Sequence, residues 1–160
     1  MEQEDRKLLA WHETLKLHGM VAFQSVGQMK LKMSMKKITD TELKELYKKC
    51  IHDLEGNLIA LLKFYPSAAG HQARDEEDVR EDAGFIAGDI PGLSKALVRN
   101  LSVAITETAT PALRKTFTDQ LLVAIHGHEH IFKYMHKHGY YPAYDLGLLL
   151  GYDIENAQKA

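Results

Sequence analysis

The side chains of this chain best suited to metal binding or nucleophilic chemistry are its nine histidines and its single cysteine. Three of the histidines alternate in His126-Gly-His128-Glu-His130. On a helix His126 and His130 share a face and could chelate a transition-metal ion, whereas His128 points to nearly the opposite side. No third ligand is evident on that face, and no His-Glu-x-x-His zinc signature occurs. His52 and Glu55, like His126 and Glu129, form His-x-x-Glu pairs that lie along one helix face. Cys50 as a nucleophile would need a depressed pKa and a neighbouring base, but it falls within an apolar stripe, where an inert buried thiol is expected. There is no glycine-rich loop between a strand and a helix to cradle a phosphate.

Helices must position these groups. From about Asp5 to Lys37 the residues Leu8, His12, Leu15, Gly19, Ala22, Val26, Met29 and Met33 recur at spacings of three and four, and the spacing predicts a long first helix with these residues facing the core. Thr39-Asp-Thr-Glu42 reads as a capping box that opens a second, antiparallel helix. Its face carries Leu43, Tyr47, Cys50, Leu54, Asn57, Leu61 and Phe64, with Ile51, Glu55, Leu58 and Leu62 on the neighbouring stripe, and it ends before Pro66. A polar stretch to about Asp82 is long enough to return along the bundle. In the third helix Ile86, Ile90, Leu93, Leu97, Leu101, Ala104 and Thr108 keep helical phase despite Gly84, Gly88, Pro91 and Gly92, and a kink near Pro91 is expected. Thr110 as N-cap and Pro111 in the first position restart the chain as a fourth helix. That helix runs to about His138 with Leu113, Phe117, Leu121, Ala124, His128, Ile131 and Met135 inward, and Gly139 is its C-terminal cap.

Beyond Gly139 the tail is rich in tyrosine and leucine, and a short final helix capped by Asp153 is expected. Two readings stand: the tail packs back across the bundle end, or it is an exposed patch used in assembly through Tyr140, Tyr141, Tyr144, Leu148 and Tyr152. Four long helices, two short turns and one long connection predict an all-α four-helix bundle occupying residues 1–160 as one domain. A chain of 160 residues hides roughly 70% of its unfolded surface without disulfides. A net charge of −2 and a pI near 6.5 provide no positive field for nucleic acid or anionic membrane. Lys30, Lys32, Lys36 and Lys37 form a local basic group that reads as a solvated helix face. The acidic start, Met1-Glu-Gln-Glu-Asp, lacks the order of a signal peptide, and no apolar run is long enough for a bilayer.

Several segments, in this order, resemble the Coat F family of bacterial spore-coat proteins: Leu9-Ala-Trp-His-Glu-Thr-Leu-Lys-Leu-His18 with Val21-Ala-Phe-Gln24, Leu62-Lys-Phe-Tyr-Pro66, Ile105-Thr-Glu-Thr-Ala-Thr-Pro111 and Tyr140-Tyr-Pro-Ala-Tyr-Asp145. The resemblance extends over nearly the whole chain. It implies a ferritin-like bundle made in the cytoplasm without a signal peptide, placed in the spore coat beside other coat proteins, with possible self-association and no established enzymatic activity.

A ferritin-like fold raises the alternative of a metal-binding protein that handles iron or manganese in redox or peroxide chemistry. Such di-iron sites take a carboxylate from each of two helices and Glu-x-x-His from each of the other two, and this sequence has no Glu-x-x-His. The inward polar candidates are His12, Glu13, Glu55, Glu107 and His128. Relative to the first turn His12 and Glu55 lie about 16 Å apart along the axis, and relative to the last turn Glu107 and His128 lie about 22 Å apart. One convergent site is therefore not expected, although Glu13 or His12 could meet Glu107 if the third helix runs antiparallel to the first. No cofactor is expected for the structural role.

Overall fold

The computed structural model of the protein describes residues 8–68, 90–140 and 144–159, with the backbone alone for Leu149, Tyr152 and Asn156. Its described helices are α1 (Trp11–Met35), α2 (Thr41–Leu62), α3 (Ile90–Thr106), α4 (Pro111–Lys137) and α5 (Leu146–Lys159), with a 3-10 turn at Tyr65–Ser67. The described residues contain no strand. The expected crossover and the glycines at 84 and 88 lie outside them. Pro91 is the second described residue of α3, so the kink expected near it lies at the edge of the described residues.

α1 carries two seams, each with residues four and three apart. Glu13, Leu17, Met20, Gln24, Gly27 and Leu31 are buried. The residues predicted to face the core, Leu8, His12, Leu15, Gly19, Ala22, Val26, Met29 and Met33, are all exposed. The outer seam is the more apolar, so periodicity alone selects it. The inner seam wins because the bundle supplies partners for its polar members, which removes the penalty of burying them.

α2 follows its predicted face, with Tyr47, Leu54, Asn57 and Leu61 buried. Its N-cap is Asp40 rather than Thr39, the Asp40 carboxylate accepting from the Leu43 amide at 2.6 Å. In α4 Leu113, Phe117, Gln120, Ala124, Ile131 and Tyr134 are buried. Gly139 ends α4 at φ 71°, and the Tyr140 amide reaches back to the Met135 carbonyl at 2.9 Å. That is the six-to-one bond of a Schellman cap, and its left-handed residue favours glycine.

α1 packs on α2 and α3, and α4 packs on the same two, so the four helices form a ring. The turns make α1–α2 and α3–α4 antiparallel. Glu13 near the start of α1 bonds Thr110 after the end of α3, whereas a Cβ on Gly27, late in α1, would come within 2.8 Å of Leu93 early in α3. α1 and α3 are therefore antiparallel too, and α2 and α3 run the same way. Phe117, Leu17, Leu31, Leu61, Leu101 and Leu113 are the large apolar side chains hidden at the centre, each contributing about 1.5–3 kcal/mol through burial.

Two polar devices fix the helices against one another. Midway along the bundle, Asn57 Nδ2 donates to Gln24 Oε1 at 2.8 Å, Gln24 Nε2 donates to Gln120 Oε1 at 3.1 Å, and Gln120 Nε2 donates to the Asn57 carbonyl at 3.1 Å. This closed triangle ties α1, α2 and α4. At one end Glu13, only 2% exposed, accepts from the Ala10 amide at 3.0 Å, the Thr110 amide at 2.5 Å and the Thr110 hydroxyl at 3.0 Å. Thr110 thus directs its hydroxyl to α1 instead of capping its own helix. Arg114 Nε and Nη2 bind the Thr108 carbonyl at 3.0 and 2.6 Å, holding the α3–α4 turn in place. Among the described residues no buried side-chain nitrogen or oxygen lacks a partner.

Burial by itself would raise the Glu13 pKa. The Thr110 and Ala10 amides, the Thr110 hydroxyl and the Ala109 amide outweigh it and hold the carboxyl below its ordinary value. A depressed folded-state pKa contributes stability above the unfolded value of about 4.3, and that stability is lost as pH falls through the folded pKa. Glu13→Gln should therefore be less stable than the parent at neutral pH, and the gap in urea midpoint should close as the pH drops below about 4.3; a gap independent of pH would refute the assignment. Asn57→Leu, which leaves Gln24 Oε1 buried without its donor, should cost about 1–3 kcal/mol in urea unfolding at an unchanged m-value. An unaltered midpoint would show that the triangle adds nothing.

Candidate functional site

The residues proposed for metal chemistry are dispersed. His12 and Glu55 are exposed on different helices. Glu13 is committed to Ala10 and Thr110, and Glu107 pairs with Lys16 at 2.9 Å on the surface. The antiparallel course of α1 and α3 does bring Glu13 and Glu107 to the same end of the bundle, yet each carboxylate has a different partner. His128 is half-buried beside Pro91, Lys95, Ile131, Phe132 and Met135 in a cleft of about 190 Å³. His126 and His130 lie on the exposed face of α4. Glu129 between them is held by Lys133 at 2.6 Å, whose hydrogen bond and charge lower its pKa. Among the described residues no three His, Cys, Asp or Glu side chains group so as to hold a metal ion.

Cys50 is half-buried where α2 faces α3 and α4, next to Leu54, Leu93 and Leu97. Burial pushes its thiol up to about 11, Asp53 adding to the shift and Lys49 opposing it. At neutral pH the sulfur is protonated and a poor nucleophile. Midway along the core the buried polar side chains are the neutral amides of Gln24, Asn57 and Gln120. Sequence reasoning placed Asn57 correctly on the inner face of α2. It missed the two glutamines, whose signal is a polar residue recurring in phase with the apolar inner seam.

The far end of the bundle is different. Tyr134 donates its hydroxyl to Asp40 Oδ1 at 3.2 Å, and burial followed by the charge of Asp40 pushes the phenol up to about 12. Its ring lies 4.2 Å from His138 and 6.4 Å from Tyr140, and His138 stacks on Tyr140 at 5.9 Å. Tyr144 meets the edge of His136 at 5.7 Å while remaining 92% exposed. This aromatic cluster seats the departing chain.

α5 then begins at Leu146, not Asp153, with Asp145 Oδ1 accepting from the Leu148 amide at 3.0 Å. Leu146, Leu148, Leu150 and Ile154 are all exposed, and α5 makes no substantial packing with α1 to α4. The described part of the tail thus does not pack back over the bundle end, while the side chains of Leu149 and Tyr152 lie outside the described residues. Of the residues suggested for assembly, Tyr140, Tyr144 and Leu148 are exposed, whereas Tyr141 and the side chain of Tyr152 lie outside the described residues. None of the helices is long and apolar enough to cross a membrane, among the described residues.

No match was found among curated proteins or among solved structures. Residues 83–144 do match the family model described as Coat F domain. The matched stretch takes in α3, α4 and the aromatic end, including Ile105–Pro111 and most of the Tyr140–Asp145 segment; the α1 segment and Leu62–Pro66 fall outside it. The resemblance to the Coat F family is thus carried by 62 of the 160 residues.

Proposed function

We propose that this protein is a structural component of the bacterial spore coat, a ferritin-like bundle that works through protein-protein contacts rather than catalysis. The observation that carries the reading is the exposed α5, an apolar helix offered to solvent at the end of a Coat F domain. An apolar surface of this kind on a helical bundle is what an assembly contact requires. The ring of helices, with α2 and α3 running the same way, is compatible with ferritin-like connectivity. A role in handling iron or manganese would call on His12, Glu13, Glu55, Glu107 and His128, and it is the weaker reading because Glu13 and Glu107 already have structural partners. Other coat proteins are the proposed partners, with neither nucleic acid nor membrane among them.

Fused to a fluorescent protein in an endospore-forming bacterium, the full chain should concentrate in the spore coat. A version ending at Tyr140 should stay dispersed while its bundle melts within a few degrees of the parent, since α5 adds little to the core. Equal coat signal from both would remove α5 from the contact. Protein purified without a histidine tag should contain iron and manganese at far below one ion per chain by elemental analysis. Stoichiometric metal that disappears in the Glu13→Ala, Glu107→Ala double variant would establish the metal reading instead.

A further inference from the structure

The outer seam of α1 has no partner within the described residues. From His12 to Met33 its residues are spaced 3-4-3-4-3-4, the repeat of a coiled-coil interface rather than of a solvated helix face. Leu15 is 63% exposed, Val26 43%, Met29 56% and Met33 50%, with Trp11 beside the seam at 73%. A helix apolar on two sides needs cover on both, and the described residues of the bundle cover only the inner one.

The seam is also its own complement when reversed. Leu15 and Val26 lie equally far from the peptide bond joining Met20 to Val21, as do His12 and Met29, and Gly19 and Ala22. An antiparallel copy of α1 centred there sets Leu15 against Val26, Trp11 near Met29, and Gly19 against Ala22, where the small side chains let the helices approach closely. Gly19 has open space around it, with nothing within 4 Å of a Cβ. Charge favours the same direction. Lys32, Lys36 and Lys37 crowd the C-terminal end of α1. A parallel pair would set these lysines against their own copies; the antiparallel pair keeps them apart. α5 is a poorer occupant, because its 14 residues span about 21 Å against about 32 Å of seam.

We propose that the protein forms a two-fold symmetric dimer in which the outer seam of α1 pairs antiparallel with that of a second copy. Such an interface is isologous, so each contact occurs twice. The dimer stands apart from the coat role: a monomer that still enters the coat would overturn the dimer and leave the coat role intact, and a dimer excluded from the coat would do the reverse.

Sedimentation equilibrium of the full chain should give twice the 18.1 kDa chain mass. Leu15→Glu and Val26→Lys, both at exposed positions, should each keep the far-UV circular dichroism and melting temperature of the parent while weakening dimerisation about a hundredfold or more, since two contacts are lost at once. When both substitutions are made in one chain, the new carboxylate at position 15 of each copy faces the new ammonium at position 26 of the other, and dimerisation should recover. A wild-type monomer at every concentration, single variants that remain dimeric, or a double variant as monomeric as the single ones would each overturn the pairing. The last result would mean that the seam is covered in another register or by another segment.

Discussion

A buried carboxylate ties the two halves of this bundle together at one end. Glu13 lies in the first turn of α1 and is almost fully buried, so its charge must be met by donors. Those donors come from the starts of two helices, the Ala10 amide of α1 and the Thr110 amide and hydroxyl ahead of α4. Both helix starts carry the positive end of a macrodipole, which adds to the attraction. The contact fixes which side of α1 faces inward and where α1 stands against α3. The same antiparallel register carries Lys16 to Glu107 and Gly27 to Leu93.

The amide triangle of Gln24, Asn57 and Gln120 repeats the logic at mid-bundle without charge. A buried polar network favours one alignment of the helices because any slip leaves several groups unpaired. The chain has kept polar groups in its core, and every described one is engaged in a hydrogen bond.

Much of the fold is legible from spacing. α2 and α4 each have one apolar face, so Leu54, Leu61, Phe117 and Ile131 can be placed inward with little competition, and Thr110-Pro111 and Gly139 mark the ends of α4 by backbone chemistry alone. α1 misleads because it has two seams, and the more apolar one faces solvent. What distinguishes the two is the set of partners that Glu13 and Gln24 find on other helices, Thr110 97 residues from Glu13 and Gln120 96 residues from Gln24 among them. Separating His12 from Glu55 needs only the rise per residue and the position of the turn. The exposure of α5 is not legible, because Leu146, Leu150 and Ile154 suit packing against the bundle as well as against another molecule.

The placement of charge has a consequence for ionic strength. The ion pairs Lys48–Glu45, Lys115–Asp119 and Lys133–Glu129 all lie on the surface, where mobile ions reach them and a Debye length of about 8 Å at physiological salt already weakens them. The Glu13 contacts and the amide triangle are enclosed, and dissolved ions cannot enter to compete. The bundle therefore keeps its alignment as the ionic strength rises, a condition under which an architecture held by exposed ion pairs would loosen.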